Sequence, residues 1–287
     1  MEDGSAMSAG ISEPRQFRLS WSRLKELEDC RAKGWLHFRG KFAEQRDSRI
    51  FFPGTVVDRV MRAWLEADEQ VPGAMVRLVD EIFDREEAST HQNGDGIVKW
   101  KHVRDRDETR EKCRECARRL EPILAERVVP FDYQVAARFT VPVMIPYQGV
   151  QRELTLTGEM DLLVRRPDGL CVDDLKMTEN AEYWRQTFPQ LTFYGIACAA
   201  MKLGWPVGCS LIQPMCPQQV LPFYFTQDNY TEMWSRIVTA AEYWWKGDHA
   251  PKDSNVGCAY CPARLSCPKM VVQGSRRVLG AVSVTRA

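Results

Sequence analysis

Apolar residues first recur at helical spacing. After Ser20 come Trp21, Leu24 and Leu27, then Trp35 and Phe38, with Cys30 between them, so one helix capped by Ser20 is expected. Phe51-Phe52-Pro53-Gly54 interrupts the period, and a second helix is expected from about Thr55 to Ala67. The period returns over Met75–Glu87, His91–Gly96 reads as a loop, and a charged helix is expected from about Asp105 to Arg127. Near Pro130 the period drops to two. Gln134–Ile145 then reads as a strand, Tyr147-Gln148-Gly149 as a turn and Glu153–Thr157 as its partner. Met160–Val164 and Leu170–Leu175 form a further hairpin around Pro167-Asp168-Gly169. A helix from about Pro189 to Leu203, strands at Val207–Ile212 and Val220–Phe225, and an aromatic-rich helix starting at Asp228 or Thr231 complete the pattern. No internal repeat is visible. Helices, then strands, then a helix, strands and a helix predict a mixed α/β (α+β) fold with one central sheet flanked by helices.

Composition leaves this picture intact. The 287 residues are 44% hydrophobic and 27% charged, as in a globular protein with a real core. Lys+Arg and Asp+Glu both number 39, so any basic surface is local. The stretch Arg15–Arg49 holds ten basic and five acidic residues, an excess that suits a phosphate backbone or a solvated helix face. No apolar run is long enough to span a bilayer and no apolar signal core opens the chain, which predicts a cytoplasmic protein with no membrane contact. The ten cysteines then read as reduced thiols or metal ligands.

Candidate chemistry centres on Gly158-Glu159-Met160-Asp161 and Asp174-Leu175-Lys176. Strand alternation puts Asp174 and Lys176 on one side and Asp173 on the other, with Asp161 able to meet Asp174 across the pair. Two carboxylates and a lysine suit Mg²⁺ or Mn²⁺ and a polarised water, although a surface Asp–Lys pair would look the same locally. Gln190 and Tyr194, four apart, share a helix face. Cys258, Cys261 and Cys267 are packed closely enough to be metal ligands, with Cys30 the best fourth. Zinc and a cubane iron–sulfur cluster both fit that spacing. Cys113-x-x-Cys116 reads as a pair of structural thiols, and Cys171, Cys198, Cys209 and Cys216 as core. No Gly-x-Ser-x-Gly and no glycine-rich phosphate loop is present, so serine catalysis and nucleotide hydrolysis lack support.

In this order the motifs resemble the RecB-like branch of the PD-(D/E)xK nuclease superfamily, in particular its iron–sulfur members: the AddB-type nuclease domain and the CRISPR-associated Cas-four exonucleases with their phage-borne cousins. Leu19–Leu24 with Cys30 is similar to the opening segment, Gly158–Asp161 to the G-x-x-D strand, Asp174–Lys176 to D-x-K, Gln190–Tyr194 to Q-x-x-x-Y, and Cys258, Cys261 and Cys267 to the terminal triplet. The resemblance implies a restriction-endonuclease-like fold with termini clipped by a cluster. It further implies a metal-dependent deoxyribonuclease acting on DNA with single-stranded or free ends, alongside recombination proteins or a CRISPR integrase. Asp161, Asp174 and the Leu175 carbonyl would hold Mg²⁺ or Mn²⁺, Lys176 would act on the water, and Gln190 and Tyr194 would position the strand. Cys30, Cys258, Cys261 and Cys267 would bind a structural [4Fe–4S] cluster. One departure stands out. Gly54-Thr-Val-Val-Asp58 occupies the place of a G-x-x-x-H segment, making Asp58 the candidate ligand where the pattern has histidine. The implied organisation is a leader (1–18), one nuclease domain (19–270) and a tail (271–287). Within the domain lie a helical part (19–129), a catalytic part (130–246) and a cysteine-rich segment (247–270). The rival readings are a non-catalytic DNA-binding module on the same fold and a zinc-clipped interaction protein.

Overall fold

A two-residue strand, β1 (Arg18–Leu19), leads into two short helices, α1 (Trp21–Asp29) and α2 (Arg31–Phe38). The computed structural model describes residues 17–38, 48–92, 100, 102–248, 250–251, 258, 261 and 267. The expected tail and most of the expected leader and of the 91–96 loop lie outside these. Phe17, assigned to the leader, is buried and stacks on Trp244 with ring centroids 4.6 Å apart.

The single helix expected through Cys30 is two helices. Cys30 is extended (φ −157°, ψ 111°), and its N–H closes α1 on Glu26 O at 2.9 Å. The reason is packing. A Cβ on Gly34 would come within 2.8 Å of Leu27 Cδ2, whereas a straight helix would separate those positions by about 10 Å. Cys30 is therefore the corner at which α2 folds back on α1.

Three longer helices follow: α3 (Ser48–Leu65), α4 (Ala74–Gln92) and α5 (Val103–Arg127). The break expected at Phe51–Gly54 does not occur, and α3 runs through Pro53. Proline forfeits one backbone hydrogen bond there, while buried Phe52 packs on Phe83 and Trp100 at 5.0 and 5.7 Å and holds the preceding turn.

β2 (Asp132–Tyr147) and β3 (Val150–Arg166) form a long antiparallel hairpin. It turns at Gln148 and Gly149, both with positive φ, as the strand twist of a two-residue hairpin requires. The separate strands expected at 153–157 and 160–164 are one strand. β4 (Gly169–Leu175) pairs antiparallel with β3, and α6 (Trp184–Ala200) then crosses over so that β5 (Gly208–Ile212) lies parallel to β4. β6 (Val220–Tyr224) pairs antiparallel with β5 at the sheet edge, and β1 runs parallel to β3 at Thr155 and Leu156. α6 begins before Pro189, not at it. α7 (Gln227–Lys246) starts from Thr226, whose hydroxyl accepts the Asn229 N–H at 3.3 Å, and stops at left-handed Gly247.

The sheet separates two cores. α1, α6 and α7 pack on one face around Leu156, Phe193 and Ile237. α3, α4 and α5 pack on the other around Val57, Phe83, Leu120 and Leu162. The result is the mixed α/β layering expected from the pattern. Among the described residues no helix is long and apolar enough to cross a membrane.

Candidate active site

The β2–β3 ladder is interrupted once. Val135 pairs with Leu162 and Ala137 with Met160, while Ala136 and Asp161 between them are unpaired. Ala136 is left-handed (φ 50°), a conformation that crowds its Cβ. The interruption turns both strands over. Met160 belongs to one core and Leu162 to the other, although residues two apart on a regular strand share a face. Paired irregularities of this kind re-aim side chains. Here the side chain is Asp161, whose Oδ2 accepts the N–H of Leu175 at 2.8 Å.

Asp174 and Lys176 stand at the end of β4. Asp174 is 1% exposed, with Oδ2 2.5 Å from Lys176 Nζ and Oδ1 3.4 Å from Gln190 Nε2. That amide also donates to Tyr194 Oη at 2.8 Å. Lys176 Nζ lies 3.4 Å from the Leu175 carbonyl as well. Burial pushes the Asp174 carboxyl up to about 7 against the pull of Lys176, and Asp161 pushes the same way. Burial works against the Lys176 charge, but Asp174 and then Asp161 outweigh it and raise its pKa. The Tyr194 hydroxyl is raised by burial and then by Asp174. Gln190 and Tyr194 thus stand behind Asp174; neither lines the cleft in front of it.

That cleft has a volume of about 990 Å³ and runs between α3, α5, the interruption of β3 at Asp161 and the end of β4, with Asp58, Arg62, Lys112, Asp161, Lys176 and Tyr183 in its wall. Asp58 enters from α3. Burial and then the nearby Asp161 raise its pKa, although its Oδ2 is 2.8 Å from Arg62. Arg62 also donates to Glu159 at 2.6 Å, and Arg138 holds the other oxygen of Glu159 at 2.6 Å. Burial tends to raise the Glu159 pKa, but the hydrogen bonds from Arg138 and Arg62 bring it below the ordinary value. Sequence reasoning missed Arg62, Glu159 and Arg138. Arg62 carried a usable signal, being one helical turn from Asp58.

Asp58, Asp161, Asp174, Leu175 and Lys176 therefore come together, backed by Gln190 and Tyr194. Each carboxylate holds a partner of its own, and among the described residues no three His, Cys, Asp or Glu side chains are gathered as a ready ligand set. The donors nevertheless suit a hard divalent cation: all are oxygens, and buried Asp174 Oδ2 takes no hydrogen bond beside its ion pair.

Cys30 lies in a second cavity of about 340 Å³, between α1, Tyr243 of α7 and Ala250-Pro251. It is not gathered with Cys258, Cys261 and Cys267 into a ligand group, and the backbone N–H of Cys261 donates to the Cys258 carbonyl at 3.4 Å. These four cysteines are half-buried, whereas Cys113, Cys116, Cys171, Cys198, Cys209 and Cys216 are buried. Burial raises the thiols of Cys113 and Cys116 to about 12, which makes both inert, as expected of structural thiols.

The sequence profile described as the PD-(D/E)XK nuclease superfamily matches residues 18–268. The chain belongs to that superfamily. Its members use divalent metals such as Mg²⁺ or Mn²⁺ and act on DNA, so this protein is a metal-dependent nuclease in class. No curated protein sequence matches it. Among solved structures, one described as SSO0001 aligns with 76% of this chain and 96% of its own, at 16% identity and a TM-score of 0.35.

Proposed function

We propose that this PD-(D/E)XK nuclease is an exonuclease of the RecB-like, iron–sulfur branch that shortens DNA from single-stranded ends, in recombination, repair or CRISPR adaptation. One observation carries the catalytic reading: Asp161 and Lys176 meet in the wall of a single cleft, with Lys176 held on Asp174 buried directly behind it. Asp161, Asp174, the Leu175 carbonyl and Asp58 would hold Mg²⁺ or Mn²⁺. The bound ion would supply a water of lowered pKa and offset phosphate charge. Lys176 keeps its proton under the influence of Asp174 and Asp161. It orients the attacking water and stabilises the charge developing on the phosphoryl oxygens. Gln190 fixes Asp174 and Tyr194 fixes Gln190, so both act as positioning residues and leave the DNA strand to other groups. Phe51, 51% exposed, and Tyr183 line the cleft, and aromatic faces there favour unpaired bases over a stacked duplex.

The cluster reading rests on the difference among the thiols. Cys30, Cys258, Cys261 and Cys267 alone among the described cysteines are accessible, as ligands at the edge of a fold need to be. A [4Fe–4S] cluster on them would be structural, closing the α1–α2 corner on the segment after α7.

The deciding experiment is degradation of end-labelled linear single-stranded DNA with Mg²⁺ or Mn²⁺, beside circular DNA and the Lys176→Ala variant. Linear DNA is expected to be trimmed and circles to survive. The variant is expected to stay folded but lose about a hundred- to ten-thousand-fold in rate. Metal-dependent cleavage at full rate by Lys176→Ala would sink the assignment, and cutting of circles would replace the exonuclease with an endonuclease.

A further inference from the structure

Arg62 reaches from α3 into the cleft that holds Asp161 and Lys176. Its Nη2 is 2.8 Å from Asp58 Oδ2 and 2.6 Å from Glu159 Oε1. Nε is buried without a hydrogen bond, and Nη1 has no partner among the described residues. Two carboxylates thus grip one corner of the guanidinium and fix its plane, while the opposite corner is left uncommitted. The other cleft cations are placed differently. Lys176 is committed to Asp174, and Lys112 stands on an exposed rim 3.5 Å from Glu179. A wall carrying Asp58, Asp161 and Glu179 repels a phosphate backbone unless a fixed cation offsets it.

We propose that Arg62 is the phosphate anchor of the cleft: Nη1 donates to a non-bridging oxygen of the substrate backbone while Asp58 and Glu159 hold Nη2. This rests on the nuclease reading above. Arginine suits the task because its planar fork stays charged and can serve carboxylates and a phosphate at the same time. One helical turn from Asp58, it sets the bound phosphate beside the carboxylates, not at the rim.

The test measures fluorescence anisotropy of a labelled single-stranded oligonucleotide in chelator across a salt series, with steady-state cleavage in Mn²⁺ alongside. Wild type, Arg62→Gln, Arg62→Lys and Glu159→Gln are compared. Arg62→Gln is expected to bind DNA about ten- to a hundredfold more weakly, to lower the slope of log affinity against log salt by about 0.7, and to raise KM more than it lowers kcat. Arg62→Lys keeps the slope and recovers part of the affinity, so it serves if Arg62→Gln does not fold. Glu159→Gln removes a negative charge and binds DNA no more weakly than wild type. The anchor is refuted if Arg62→Gln lowers kcat alone and leaves affinity and slope at wild-type values, or if Arg62→Lys, used in its place, lowers kcat with no loss of affinity; Arg62 would then be only a strut for Asp58. Wild-type protein that binds no DNA would instead overturn the nuclease reading itself.

Discussion

At the scale of single residues, the site is governed by one buried carboxyl. Burial holds the Asp174 carboxyl above the ordinary aspartate value, although its ion pair with Lys176 pulls the other way. An unfolded aspartate titrates near 3.9. Because the folded value is the higher one, this group's contribution to stability is fully present below about pH 4 and is lost as pH rises through about 7. In chelator, Asp174→Asn should match wild type in urea midpoint near pH 4 and exceed it at pH 8. Adding Mn²⁺ at pH 8 should raise the wild-type midpoint and leave the variant unchanged. A wild-type-minus-variant difference that does not move with pH would contradict the role given to burial. Asp58 and Arg62 belong to the same scale. The extra negative charge on α3 is accompanied by a cation one turn away, which keeps the local charge near balance.

At the scale of elements, the interruption at Ala136 and Asp161 decides where the site can form. Left-handed alanine costs about 1–2 kcal/mol; glycine adopts the same backbone freely. Ala136→Gly should therefore raise stability by about 0.5–1 kcal/mol in denaturant titration and retain cleavage. Ala136→Val, β-branched and suited to a regular strand, should drive the ladder toward continuous pairing, re-aim Asp161 and lower both stability and cleavage. Equal activity in all three proteins would show that the interruption does not position Asp161. The corner at Cys30 has a comparable origin. Gly34 against Leu27 folds α2 back, and the thiol is presented from extended backbone and not from a helix.

At the scale of the whole molecule, the sheet keeps two cores apart and the cleft opens where α3 and α5 of one layer meet the interruption of β3 at Asp161 and the end of β4. The proposed cluster would act here by tying the first helices to the chain beyond α7. Protein purified anaerobically should be brown, with broad visible absorbance and about four irons per chain. Cys30→Ser should lose colour and melt at lower temperature. Colourless protein containing zinc would replace the cluster with a zinc clip. Removing the cluster should lower stability more than it lowers the rate per folded molecule, since no cluster ligand lines the cleft.

Local signals were enough for the order of helices and strands, a turn around Tyr147-Gln148-Gly149 and the proximity of Asp161 to the Asp174–Lys176 end of its neighbouring strand, because periodicity, turn residues and motif spacing are short-range properties of a chain. They also separated buried thiols such as Cys113 and Cys116 from the four accessible ones. The sequence misread the breaks. Pro53 and Pro189 lie inside helices because tertiary burial outweighs one lost hydrogen bond, and Cys30 bends because Gly34 lets two helices touch. Only the tertiary structure joined Arg62 on α3 to Glu159 on β3, residues 97 apart in sequence. Only it showed that Gln190 and Tyr194 face a carboxylate and not the cleft, and that two strands turn over together at Ala136 and Asp161. Each of these depends on which surfaces meet when the layers close, and a linear pattern of apolar and polar residues does not encode that partner choice.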